Sequence, residues 1–364
     1  MNIIIDGHED LAWNIVNLAR DYTQSAHKTR EAEKNTPIPA FNGNTLLGWP
    51  QYQKGHVALV FGTLFCTPKR LNQGLYETQT YETPVQAEWC YRQNLDAYLR
   101  LVDNHPDKFR LITTQSELTS HISLWEKYLE NKKTQNPPVG LVVLMEGAEC
   151  LQEATEVEKW YEWGVRIIGP AWAGNHFCGG TREPGPLTKA GYALLENMAA
   201  FNMVLDISHM DHQAAWQALD FYPGKIIASH SNAEALIKDI PINRHLKDET
   251  IRQLIERDGV IGIVPINPFM DWGWRHHGGR NAMSLDMVVA QIDHICQIAG
   301  DTQHVGLGTD FDGGFGVESV PPEIDTIADL PKLSPKLAEK GYNDTDIERI
   351  FYANWLQLLQ QSLP

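Results

Sequence analysis

Eight short apolar runs recur along this chain, at residues 2–5, 57–65, 140–145, 165–169, 203–207, 225–228, 260–264 and 304–308. They are rich in Val, Ile and Leu with little polar alternation, the pattern of parallel strands covered on both faces. Helical patterns occupy most of the gaps, such as 211–220 after the fifth run and 233–239 after the sixth. This rhythm predicts an α/β fold of the (β/α)8 TIM-barrel type, whose working residues lie on the loops that follow the strands. Side chains far apart in sequence then converge at one mouth.

The 364 residues fit one barrel domain, 1–364, with an insertion at about 14–53. There the interval after the first run carries mixed charge, Pro37, Pro39 and Gly43 instead of a clean crossover helix, and a lid-like loop at the mouth is expected. Acidic residues outnumber basic ones 46 to 30, for a net charge of −16. Such a surface repels nucleic acid and anionic membranes, and no basic patch offsets it, since 28–34 mixes Lys, Arg and Glu as a solvated face does. The expected partner is a small-molecule substrate, with no nucleic acid and no membrane.

Cys66, Cys90, Cys150, Cys178 and Cys296 are widely spaced and form no C-x-x-C pair, which predicts free buried thiols in place of a disulfide framework or thiolate zinc site. The chain enters a strand at once, without a basic and apolar leader, and no apolar run reaches the roughly 18 residues that span a bilayer. A cytoplasmic location is expected.

Metal-type side chains gather at the strand ends. Asp6-Gly7-His8-Glu9-Asp10 sets His8 and Asp10 one residue apart, so in extended backbone both point the same way and offer a half-site for a divalent ion. Glu146 ends an apolar run, where burial is expensive without a cation, and its two oxygens can bridge two metals. Ser208-His209 and Ser229-His230 end neighbouring strands; one such histidine is ordinary polar packing, but two facing Glu146 and the His8/Asp10 pair make five candidate ligands at one mouth. Asp310, at the end of the eighth run, falls beside the first-strand ligands and is placed to act as general base. Asp312 precedes Gly313-Gly314 and reads as a turn residue. After the seventh run, Trp272, Trp274, His276 and His277 are either pocket walls or an ordinary packed loop.

These blocks together resemble the membrane dipeptidase (renal dipeptidase) family of binuclear zinc peptidases over nearly the whole chain. The resemblance rests on Asp6-Gly7-His8-x-Asp10-Leu11, Glu146-Gly147, Gly164-Val165-Arg166, Pro186-Leu187-Thr188, Asp206-Ile207-Ser208-His209, Ser229-His230-Ser231 and Asp310-Phe311-Asp312-Gly313, with Gly341-Tyr342 and Asn354 near the end. It implies a metallo-dependent hydrolase barrel holding two divalent ions, zinc first among Zn²⁺, Mn²⁺, Fe²⁺ and Co²⁺. His8 and Asp10 would bind one ion, His209 and His230 the other, and Glu146 both; a bridging hydroxide would attack the peptide bond of a dipeptide. By the same carry-over Asp310 is the proton-transfer acid, and Arg244 clamps the substrate carboxylate with its planar fork. The resemblance further implies a homodimer. No lipid anchor is expected, since 361–364 is not an apolar tail.

One position departs from the pattern. Where the family ends its fourth strand in Thr-His, with the His donating to the scissile carbonyl, this chain has Gly169-Pro170-Ala171-Trp172. An indole donates a hydrogen bond but cannot become cationic. His176, four residues on, is a candidate substitute. Three readings stay open: a dipeptidase with a displaced donor, a barrel hydrolase of the wider amidohydrolase type acting on a non-peptide amide or lactone, or a weakly active ligand-binding relative.

Overall fold

In the computed structural model, which describes residues 3–72, 74, 77–131, 135–237 and 240–364, eight parallel strands close into a barrel. They are β1 (Ile4–Glu9), β2 (Val57–Leu64), β3 (Val139–Glu146), β4 (Val165–Gly169), β5 (Val204–Asp206), β6 (Ile226–Ala228), β7 (Val260–Ile263) and β8 (Val305–Leu307). Each strand pairs with its neighbour in sequence, and β8 pairs with β1 through Asp6 and Leu307, so no edge is left open. A short strand, Phe109–Leu111, pairs with the start of β3, below the part of β3 that pairs with β4. The fold is the (β/α)8 barrel that the eight runs predict.

Alternate residues of the strands go to two cores, as the period of two requires. Ile5, Leu59, Phe61, Val142, Leu144, Ile167, Val204, Ile227 and Val260 join Trp355 and Leu358 of the last helix in one cluster. Ile4, Val60, Val143, Ile168, Leu205 and Ile261 pack instead with the surrounding helices. Trp355 docks against β8, its indole donating to the Leu307 carbonyl at 2.9 Å. Gly306 makes room for it: a Cβ there would stand 2.3 Å from the Trp355 Nε1.

The helices that cover the barrel start where the sequence supplies caps. Thr83 forms a capping box with Gln86 ahead of Pro84–Asn104, and Asp211 caps His212–Phe221. The helix expected at 233–239 is only the turn Glu234–Leu236, and residues 238–239 lie outside the described residues. The covering helix after β6 is Asp248–Glu256, because the intervening loop first carries Arg244 back to the mouth, pairing Ala233 with Leu246. Run 1 is also longer than expected, extending through Glu9 and bringing His8 onto the strand itself.

Between β1 and β2 the chain forms four short helices, Leu11–Leu18, Ala26–Glu33, Ile38–Asn42 and Trp49–Gly55. Asp312 anchors this segment. Its buried carboxylate accepts from Arg20 at 3.1 Å, Tyr22 at 2.8 Å and the Leu46 amide at 2.8 Å, and from Thr45. The turn reading of Asp312 is therefore incomplete; the residue is the hub of a buried network. All five cysteines are buried and free. No helix among the described residues is long and apolar enough to cross a membrane.

Candidate metal centre

The C-terminal ends of β1, β3, β5, β6 and β8 deliver His8, Asp10, Glu146, His209, His230 and Asp310 to one point. Their ligand atoms form three overlapping groups, each within 4.8 Å: His8, Asp10 and Glu146; Glu146, His209 and His230; His8, His230 and Asp310. All six residues are buried. Glu146 faces two ways. One oxygen, Oε1, lies 3.1 Å from His209 Nε2 and 3.3 Å from His230 Nε2, while Oε2 lies 3.7 Å from His8 Nε2.

Outer residues aim these groups. Asp206 accepts from the amides of Ser208 and Ser229 at 2.9 Å each and from the Ser229 hydroxyl, which in turn stands 2.7 Å from His230 Nδ1. With the Ser229 proton committed to Asp206, the imidazole donates from Nδ1 and leaves its Nε2 lone pair free. Thr181 does the same for His209, with 3.0 Å between Oγ1 and Nδ1. Asp6 ties β1 to the end of β8 by accepting from the Thr309 amide at 2.7 Å and from its hydroxyl, which sets Asp310 in place. Thr63 donates to Asp10. The sequence motifs contain Asp6, Asp206, Ser208 and Ser229 but assign none of these supporting residues a role; an acid ending or interrupting an apolar run, as at Asp6 and Asp206, is the signal that points to one.

The backbone is tight here. His209 and Asp310 have left-handed φ values of 67° and 56°, uncommon outside glycine. A Cβ at position 313 would fall 2.1 Å from Asp310 Oδ1 and 2.6 Å from Asp10 Oδ2, so only glycine fits against the pair.

The electrostatics call for a cation. Burial holds His209 and His230 well below the usual histidine range, so both are neutral, yet their Nε2 atoms face each other at 3.0 Å. Burial also raises Glu146 well above the usual carboxylate range and Asp310 up to about 7, with Asp10 adding repulsion to both. For His8, burial pulls downward but Glu146, Asp10 and Asp310 outweigh it and carry the imidazole up to about 9. A proton on His8 thus answers charge that a metal ion answers better, and His8 Nε2 is buried with no hydrogen-bond partner. Ligand atoms bound about 2.0–2.1 Å from one tetrahedral zinc stand about 3.3 Å apart, close to the spacings around Glu146 Oε1. The donor set fits divalent cations.

A cavity of ≈ 330 Å³ opens over this cluster, lined by Asp10, Glu146, His209, Arg244 and Asp310 among others. Arg244 is buried; it donates to the His230 carbonyl at 2.7 Å and to Ser231 at 3.2 Å, its Nε has no partner, and no carboxylate pairs with it among the described residues. It stacks 5.3 Å over the Phe269 ring. Trp172 lines the cavity, its ring 6.0 Å from that of His209. Trp272 is also on the wall.

His176 is not. It is exposed, its ring lies against Phe177 at 3.9 Å, and it is absent from the lining. The reason is local: Asn175 accepts from the amides of Phe177 and Cys178 and donates to the Pro170 carbonyl, folding a turn that faces His176 outward. The candidate substitute for the missing family histidine is thereby corrected. Trp274 packs in the core, while His276 and His277 are exposed, with His277 on Asp271 at 2.7 Å.

Comparison with known proteins agrees with this geometry. Residues 1–362 match the membrane dipeptidase family, peptidase family M19. An uncharacterized protein from the pqqA 5′ region of Klebsiella pneumoniae is 31% identical over 76% of this chain and 96% of its own length. An uncharacterized dipeptidase of Schizosaccharomyces pombe is 27% identical over 98% of this chain and 80% of its own. Among solved structures, the metallopeptidase dipeptidase AC superposes with a TM-score of 0.77 at 24% identity, covering 100% and 99% of the two chains. A metallopeptidase from Rhodobacter sphaeroides, solved with a phosphinate mimic of L-Ala-D-Ala, gives 0.78 at 21% identity, covering 99% of each. By sequence, fold and clustered metal-type side chains, the chain belongs to the membrane dipeptidase family of metallopeptidases.

Proposed function

We propose that this protein is a binuclear metal-dependent dipeptidase, with zinc the preferred ion. The observation that carries the reading is Glu146, whose two oxygens face two separate ligand sets, His8 with Asp10 and His209 with His230. Two divalent ions bound there supply Lewis acidity and activate water as the nucleophile. The chain's own groups do the rest. Arg244, buried with no carboxylate partner among the described residues, takes the C-terminal carboxylate of the substrate through its free edge. Asp310 faces the cluster from β8, 4.0 Å from His8 Nε2, where its carboxylate is placed to accept the proton of the attacking water and return it to the leaving amine.

A substrate without a carboxylate, such as a lactone, has no use for Arg244; Arg244→Met separates the two, with KM for dipeptides rising sharply if the clamp is real. The direct test is zinc loading followed by assay on a dipeptide panel. We expect two equivalents of metal per chain, hydrolysis abolished by chelation and restored by zinc, and a fall of about 10²–10⁴-fold in kcat for Asp310→Asn with metal content unchanged. Fully loaded protein that releases no amino acid from any dipeptide would refute the reading.

A further inference from the structure

Three pairs of aromatic rings line the cavity: Trp13 with Phe41 at 6.4 Å, Phe269 with Phe315 at 5.4 Å, and Phe65 with Trp172 at 5.2 Å. A metal cluster needs no such wall for its own support. Phe65 and Trp172 are each only partly buried, so apolar ring surface is left facing the cavity for a ligand to cover. Their planes are tilted by 56°, and Trp172 leans at 35° toward His209, whose Nε2 is 3.1 Å from Glu146. The slot therefore opens beside the reacting centre.

Barrel order says which end of a substrate reaches it. Arg244 follows β6 and Phe269 follows β7, whereas Phe65 follows β2 and Trp172 follows β4, with Glu146 on β3 between them. In a ring of eight strands β2 lies opposite β6. A dipeptide whose carboxylate sits on Arg244 and whose peptide bond lies over Glu146 points its amino-terminal residue at Phe65 and Trp172. We infer that this slot makes the site selective for dipeptides with an aromatic amino-terminal residue, and that Trp172 is a specificity wall. The inference rests on the dipeptidase reading for the placement of the carboxylate. An indole cannot offer a carbonyl oxygen a cationic donor as an imidazolium can, but it offers a ring edge and face to a second ring. Thr181 holds it in position, its amide donating to the Trp172 carbonyl at 2.9 Å.

The test uses zinc-loaded full-length protein with Phe-Ala, Ala-Phe and Ala-Ala. The ratio of kcat/KM for Phe-Ala over Ala-Ala is expected to be about tenfold or more, the scale of discrimination by an apolar pocket. Trp172→Ala and Phe65→Ala should each bring the ratio toward one, Trp172→Phe should keep most of it, and Ala-Phe should show no comparable dependence on these two residues. Affinity read from quenching of tryptophan fluorescence supplies a second measurement that needs no turnover. Selective binding of Phe-Ala without hydrolysis would uphold the slot and refute only the dipeptidase reading. A wild-type ratio near one, in rate and in affinity, or a ratio untouched by both alanine variants, overturns the inference.

Discussion

Asp310 and Asp312 are two residues apart, both buried and both in left-handed backbone, yet their surroundings are opposite in kind. Around Asp312 every charge is answered from within the chain. Arg20 reaches Asp312 at 3.1 Å and grips Glu33 through two bonds of 2.9 and 3.0 Å, while Tyr22, Thr45 and the Leu46 amide fill the remaining acceptor sites. Around Asp310 charges of one sign accumulate: Asp10, Glu146 and Asp310 converge on His8, and burial with mutual repulsion drives Asp310 up to about 7. A satisfied cluster is structural. A cluster left short of positive charge is built for an ion that the chain does not itself supply.

The largest effect that can break this contrast is removal of the internal cation. Arg20→Met strands Glu33 and Asp312 in the core and should lower unfolding stability by about 3–5 kcal/mol in denaturant titration. Zinc bound per folded molecule should stay the same, because Arg20 belongs to the self-sufficient network. A loss under about 1 kcal/mol would mean the network is not load-sharing in the way its geometry implies.

A third buried acid sharpens the contrast by taking neither route. Glu149 has Tyr91 at 3.3 Å but no partner cation among the described residues, and burial pushes its pKa up to about 7 from 4.5. Between these values the folded protein holds a proton that the unfolded chain releases. Stability contributed by this group is therefore full below about 4.5 and declines as pH rises to about 7, by about 3 kcal/mol. Glu149→Gln should flatten that slope, matching the wild type near pH 4 and exceeding it near pH 8 in thermal unfolding. A variant with an unchanged pH slope would show that Glu149 is ionised throughout.

The same contrast explains what was legible in the sequence. His8, Asp10, Glu146, His209, His230 and Asp310 stand at the ends of apolar runs, and a parallel barrel gathers all such ends on one face, so local pattern plus topology brings them together. Asp312 does stand in a turn, as the following glycines indicate, but its role as a hub is invisible locally because its partners, Arg20, Tyr22 and Thr45, are some 270 to 290 residues away. His176 illustrates the opposite limit: a spacing of four residues from Trp172 says nothing of direction, which the side chain of Asn175 decides. The covering helix after β6 begins later than the sequence pattern predicts, because the detour that delivers Arg244 has no periodic signature of its own.

The smallest effect probes how the ligand cluster is kept ready for its ion. Ser229 links Asp206 to His230 Nδ1 with contacts of 2.5 and 2.7 Å, and so fixes the tautomer that turns the Nε2 lone pair toward Glu146. Ser229→Ala removes the acceptor for that Nδ1 proton without touching any ligand atom. The imidazole then loses its orientation and part of its basicity, and zinc affinity should fall about 10–100-fold in chelator competition. At saturating zinc the rate should recover, since Asp310, Glu146 and Arg244 are undisturbed. An affinity equal to wild type would show that packing alone, including the His8 ring stacked 3.6 Å from that of His230, holds the imidazole in place. That outcome would move the source of preorganisation from the hydrogen-bonded relay to the ring stack, and leave the difference between the two clusters resting on charge alone.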